Sequence, residues 1–287
     1  MTTLTHRSPY RNHRIDQGFG QRFTLNKQSN QAHKLIAWWT PLVSSGGSLL
    51  RDLSGVGNNG DFVASPAWTR DGERGMVLDF DGANDGVDVI PSVALDNVNT
   101  LTYSFWLYPQ GWGVSSAGCV LMNIASGPNR TLKQIRLLNG SGEESIRVFI
   151  NSDSTNGSSN AANSTIVLNT WQLITITFDV NGDKTIRIYK DGAETSYASQ
   201  TAMTGTIDDD SAGQFIIGYE GFVGSRFFDG YIDDVRIYNR ILSASEIMGL
   251  YAPSTRWQLY QPPKRTLAMK AVAAAGVPIF RRRIQGY

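Results

Sequence analysis

Hydrophobic and polar positions alternate with a period of two through most of the middle of the chain, the pattern of strands with one buried face. In 101–109, Leu101, Tyr103, Phe105 and Leu107 fall on one face, and Thr102, Ser104, Trp106 and Tyr108 on the other. Residues 171–194 read as strand, turn, strand, turn, with Ile174, Ile176 and Phe178 sharing one face and Ile186 and Ile188 another. Further strands are expected at 35–39, 75–90 (two, joined by a turn) and 215–221. At 227–251, Val235 and Ile237 alternate with Asp234, Arg236 and Tyr238 until Asn239-Arg240 breaks the pattern. Ser243 then stands three residues before Glu246, a capping box that opens a short helix through Leu250. Asn-Gly and Asp-Gly pairs at 139–140, 156–157, 181–182 and 191–192 favour tight turns, because glycine accepts positive φ without steric cost. Many short strands with turn signals between them predict an all-β, two-sheet antiparallel sandwich.

Charge divides the chain more sharply than hydrophobicity does. The net charge over 287 residues is +1, yet 1–34 carries +5, 35–252 carries −11 and 253–287 carries +7. The expected layout is a basic N-terminal arm (1–34), an acidic sandwich (35–252) and a basic C-terminal docking arm (253–287). Neither arm has sustained periodicity, so both should order only against something else, most simply neighbouring subunits. In the C-terminal arm, Trp257, Tyr260, Phe280, Arg281, Arg282 and Arg283 combine aromatic rings with guanidinium groups, the usual anchors of a partner-binding surface. The single cysteine, Cys119, excludes an internal disulfide. The N-terminus shows no apolar core of a signal peptide, and no apolar run is long enough for a membrane helix.

The run from Gly230 to Ile247 resembles the last strand and following helix of bacterial and phage laminin G-like (LamG, concanavalin A-like) jelly-roll domains, with Ile241 where alanine is usual. Residues 51–62, 75–90, 101–109 and 171–194 resemble further motifs of that family in the same order, so the resemblance covers about 35–252. It implies a jelly-roll sandwich. Related sandwiches often hold a structural Ca²⁺ between the first loop and the last strand, which makes Asp52 and Asp233 the candidate ligands, helped by carbonyls of the 52–61 loop. The residues themselves equally allow Asp52 to cap its own turn and Asp233 to bond backbone amides.

Catalysis lacks residues to carry it. All three histidines (His6, His13, His33) lie in the N-terminal arm, so the body has no Ser-His-Asp triad, and their spacing fits no zinc site. The paired-carboxylate strand motif of family-16 glycoside hydrolases, which share this fold, is missing. Gly55–Gly60 satisfies G-x-G-x-x-G but has no strand before it and no helix after it, so a structural loop is expected rather than a nucleotide site. The Asp208-Asp209-Asp210 run reads as a solvated loop. Trp112, Phe222 and Phe228 lie in glycine-rich loops, where they could stack on sugar rings or pack over the sandwich ends.

Two functions follow as expectations. The first is a non-catalytic structural protein of a tailed-phage virion, made in the host cytoplasm and bound to other virion subunits through its arms, as a capsid decoration or other head-bound protein. Leu250-Tyr251 followed by 257–262 resembles the tails of such phage proteins, with two extra residues before the tryptophan. The alternative is a carbohydrate-binding, adhesive module that recognises a host glycan. Nucleic acid and membrane are not expected partners.

Overall fold

The computed structural model describes residues 24–41, 46–89, 93–113, 117–124, 131–140, 142–211, 213–221 and 226–261. Its strands are β1 (Thr24–Leu25), β2 (Leu35–Trp39), β3 (Leu49–Leu50), β4 (Gly60–Val63), β5 (Ala67–Asp71), β6 (Gly75–Asp81), β7 (Gly86–Val89), β8 (Thr100–Pro109), β9 (Cys119–Ile124) and β10 (Thr131–Leu138). They continue as β11 (Ser145–Ile150), β12 (Gly157–Ala161), β13 (Gln172–Asp179), β14 (Arg187–Lys190), β15 (Ala193–Glu194), β16 (Tyr197–Thr201), β17 (Gln214–Ile217), β18 (Asp229–Tyr238) and β19 (Tyr260–Gln261). One helix, α1 (Ala244–Tyr251), follows β18. Two antiparallel sheets form the sandwich expected from the alternation. A nine-stranded sheet runs β16-β12-β11-β10-β9-β17-β7-β4-β3; an eight-stranded sheet runs β15-β14-β13-β8-β18-β6-β5, with β2 also paired to β18.

The main core lies between the sheets. Leu101, Tyr103, Phe105 and Leu107 of β8 and Ile174, Ile176 and Phe178 of β13 meet Ile135, Leu137, Ile146, Val148, Phe215 and Ile217 of the other sheet. These are the faces the period-2 reading assigns inward. Trp39 stacks on Phe215 with ring centres 5.6 Å apart.

A second core covers the outer face of the eight-stranded sheet. Trp106, Val77, Leu173 and Tyr238 point outward there and are covered by Trp38, Leu242, Ile247, Leu250, Leu259 and Tyr260. Strand β2 therefore buries both faces, which is why Leu35–Trp39 is an unbroken hydrophobic run. The cap is assembled from both ends of the described chain. β1 pairs with β19, and α1 is fixed by the expected capping box of Ser243 and Glu246. Residues 24–34 and 253–261, assigned to the arms by their lack of periodicity, are thus integral to the sandwich. Tyr260 packs on its own chain, between Trp38 and Trp257. This corrects the assignment of Tyr260 as a partner-binding anchor: a two-residue strand and a run of turns leave no periodic signal, although Leu259 and Tyr260 are buried, while Trp257 stays half-exposed.

Strand β18 organises the cap. Its first half pairs with β6 and its second half with β2, while β8 runs along its other edge. Where the partner changes, a one-residue bulge falls between Asp233 and Arg236, and Asp234 takes a left-handed φ of 52°, which aspartate tolerates. The bulge keeps Val235 and Ile237 in the main core and leaves two consecutive carboxylates buried beneath the cap. Each is matched to a guanidinium. Arg236 is bidentate to Asp234 at 2.9 and 2.7 Å, and Arg74 Nε pairs with Asp233 at 2.8 Å.

Candidate functional site

The residues singled out from sequence separate once folded. The Asp52 carboxylate accepts five hydrogen bonds, from the amides of Trp38, Ser54, Gly57 and Asn58 and the Ser54 hydroxyl, at 2.8–3.0 Å. The glycine-rich loop is closed around this one side chain, as a structural loop should be. Asp233 is buried, pairs with Arg74 and accepts from Thr40 Oγ1 at 3.2 Å. Burial pushes its carboxyl up, and Arg74 offsets part of that rise. Both carboxylates are surrounded by donors, which a Ca²⁺ would have to displace, so these residues do not fit the expected Ca²⁺ site. Among the described residues no cluster of three or more acidic, histidine or cysteine side chains could hold a metal. The aspartate run at 208–210 is not simply solvated: Asp210 is buried and forms an ion pair with Lys133, while Asp209 accepts from the Asn97 side chain.

Of the loop aromatics, Phe228 is fully buried and meets Phe80 edge-on at 6.1 Å. It belongs to the core, which corrects its assignment to sugar stacking. It continues the inward series Phe228, Gly230, Ile232, visible once β18 is extended by one residue. Trp112 is half-buried against the main core. Phe222, Phe280, Arg281, Arg282 and Arg283 lie outside the described residues.

A further aromatic group lies at the edge of the second core, on the same outer face of the eight-stranded sheet: Trp171 is buried in that core, and Tyr108 and Tyr231 pack against it. Tyr108 of β8 and Tyr231 of β18 are register partners. Their rings stack at 5.4 Å and 19°. Trp171 joins them at 5.5 Å from Tyr108 and 6.2 Å from Tyr231. Both tyrosines are half-buried. Trp171 is held from below, its indole N–H donating to Asp71 at 3.2 Å and the Arg74 guanidinium lying 5.3 Å from its ring centre.

Carboxylates border these rings. Tyr231 is opposite Asp79 of β6, and Asp229 is opposite Asp81. Asp81 and Asp85 are committed to the local turn. Asp81 accepts from the amides of Ala83 and Asn84, and Asp85 from those of Ser65 and Asp81. Asp79 accepts only the Thr69 hydroxyl, at 3.0 Å, among the described residues. Burial pushes the carboxyls of Asp79 and Asp229 above the usual range, and neighbouring aspartates push them further. Asp79, Asp81 and Asp85 also line an open cleft of about 530 Å³ with Ala64, Ser65, Ala67 and Asn84. Half-exposed rings next to carboxylates with spare lone pairs can stack an apolar sugar face and accept its hydroxyls. Sequence reasoning placed Tyr108 on the outward face but had no means of pairing it with Tyr231. The usable signal was large aromatic residues at outward strand positions.

A family model described as Laminin_G_3, concanavalin A-like lectin/glucanases superfamily, matches residues 81–248. Among solved structures, domain 4 of AbnA, a GH43 extracellular arabinanase from Geobacillus stearothermophilus in complex with arabinotriose, is 18% identical with a TM-score of 0.56, over 76% of this chain and 98% of that one. The binding domain of Paraclostridial Mosquitocidal Protein 1 is 19% identical with a TM-score of 0.58, over 77% of this chain and 52% of that one. The receptor binding domain of botulinum neurotoxin C/D mosaic serotype is 14% identical with a TM-score of 0.56, over 77% and 51% respectively. This chain therefore spans about half of each toxin domain. At these identities the likeness is one of fold. No curated protein matches the sequence.

Proposed function

The chain belongs to the concanavalin A-like lectin/glucanases superfamily, and from that premise we propose that it is a non-catalytic carbohydrate-binding module whose site is the Tyr108–Tyr231–Trp171 surface. One observation carries this reading: a stacked tyrosine pair stands beside Asp79 and Asp229, carboxylates that are partly desolvated and not committed to a turn. A pyranose or furanose ring has an apolar face and a rim of hydroxyls, and this surface offers a counterpart to each. The arabinotriose held by the AbnA domain, in a fold of the same kind, supports the reading by analogy.

The surface supplies rings and acceptors but no activated nucleophile, and His6, His13 and His33 all precede residue 35. We therefore read it as a binding site. The virion role is a finer proposal that rests on the family resemblance and the charge layout. On a particle, this module would be the adhesive element, attached through terminal segments that include Phe280 and Arg281–Arg283. A glycan array probed with the full chain tests the reading. We expect binding to a set of neutral saccharides that Tyr231→Ala abolishes. An array on which no neutral saccharide binds would overturn it.

A further inference from the structure

The opposite face of the molecule, the outer face of the nine-stranded sheet, carries a group of polar side chains that the fold does not satisfy. Ile135, Leu137, Ile146 and Val148 point into the main core, so Arg136, Arg147 and Phe149 point outward. Register places Arg136 directly opposite Arg147, and Arg147 opposite Asn160 of β12. Three side chains from three adjacent strands thus form one row across the sheet.

Like charges directly opposite each other on a sheet destabilise it. Among the described residues the repulsion is relieved in part, by the charge of Glu220 on Arg136. Arg136 and Arg147 take part in none of the ion pairs among the described residues. Glu220 is itself already paired with Arg226. The Nε atoms of both arginines are buried without a hydrogen-bond partner, and so is Oδ1 of Asn160. Burial and the charges of Arg226 and Arg147 together lower the Arg136 pKa, which registers the same frustration. All this sits in a body whose net charge is −11, so the row is not an extension of a generally basic surface. Phe149 lies alongside, with the Arg147 guanidinium 5.7 Å from its ring centre.

The three side chains are half-exposed, and their unpartnered donors and acceptor leave the row short of counter-groups that a ligand reaching the guanidinium forks could supply. Its anionic group must bring paired oxygens to two guanidinium forks, and a hydroxyl nearby must reach Asn160. We propose that the outer face of the nine-stranded sheet is a second saccharide site, for a sugar bearing a carboxylate or sulfate, in which Arg136 and Arg147 bind the anion, Asn160 accepts a neighbouring hydroxyl and Phe149 packs against the ring. It is independent of the tyrosine surface, which lies on the other sheet.

The test titrates the full chain, and the variants Arg136→Gln and Arg147→Gln, with three probes: trigalacturonate, a sulfated galactotriose and uncharged galactotriose. A charged probe should bind the parent, more weakly as salt is raised, and each variant should lose about tenfold to hundredfold in affinity for it. Tyr231→Ala should leave that binding unchanged. Trigalacturonate binding alone assigns a carboxylate site, and sulfated-probe binding alone a sulfate site. Chemical-shift mapping on the parent is the second readout, independent of how the variants fold: the charged probe should move the amides of Phe149 and Asn160. Charged probes that bind no better than galactotriose, that bind both variants as well as the parent, or that perturb only residues elsewhere would overturn the proposal.

Discussion

Tyr260→Ala is the sharpest test of the second core. Tyr260 is only 8% exposed. Its ring meets Trp38 at 5.1 Å and 84°, and Trp257 at 5.3 Å and 62°. An aromatic side chain buries roughly 150–250 Å², which at about 25 cal/mol per Å² gives about 4–6 kcal/mol as an upper bound. Residual burial in the denatured chain reduces that to about 3–4 kcal/mol, in line with measured losses for truncating large core aromatics. The hydroxyl also bonds Thr40 Oγ1, at 3.4 Å. Urea unfolding of the full chain, at several protein concentrations, reads the change in midpoint. The account predicts a loss of about 3–4 kcal/mol that does not depend on concentration, because the lost contacts lie within one chain. A loss below about 1 kcal/mol, together with a weakened oligomer, would refute the reasoning and restore Tyr260 to a subunit interface.

Arg236→Met should cost about 3–5 kcal/mol in the same assay, because it strands the buried Asp234 carboxylate, and adding Asp234→Asn should recover at least half of that loss. Asp52→Asn should cost about 1–3 kcal/mol by removing acceptor capacity from a closed loop, with the same melting temperature in calcium and in chelator; stabilisation of the parent by calcium would reinstate a metal at this loop. The Glu246 carboxyl is drawn from the ordinary 4.5 down to about 2, first by Arg240 and then by its capping bonds with Ser243. A depressed carboxyl stabilises the fold fully above its unfolded pKa and loses that contribution as pH falls through the folded one. Discounted for its exposure, Glu246→Gln should cost about 1 kcal/mol at neutral pH. In thermal melts followed across pH, the gap between parent and variant should shrink below about pH 4.5 and close near about pH 2; a gap that persists there would contradict the pairing.

What the sequence discloses is what local pattern can encode. The alternation in 101–109 and 171–179 assigns the inward faces of β8 and β13 correctly, and the Ser243–Glu246 spacing locates the cap of α1. The second core escapes because it depends on which chain end covers which face. Leu259 and Tyr260 are buried, yet nothing in the turn-rich stretch from 253 predicts it. The donors around Asp233 and Asp52 are illegible for a related reason. A carboxylate looks the same in sequence whether it will meet a metal, a guanidinium or five backbone and hydroxyl donors. The tyrosine surface and the arginine row share this limit. Tyr108 and Tyr231, like Arg147 and Asn160, become neighbours only through strand register, which in the tyrosine pair links positions more than a hundred residues apart.

The central claim, that the outer face of the eight-stranded sheet binds sugar through its tyrosine pair, is tested most directly by calorimetric titration of the best neutral saccharide from the array. The parent, Tyr231→Ala, Asp79→Asn and Arg136→Gln would be compared. The account predicts that Tyr231→Ala loses about tenfold to hundredfold in affinity and Asp79→Asn about tenfold, while Arg136→Gln binds as the parent does. Undiminished binding by Tyr231→Ala would contradict it and move the site elsewhere on the molecule.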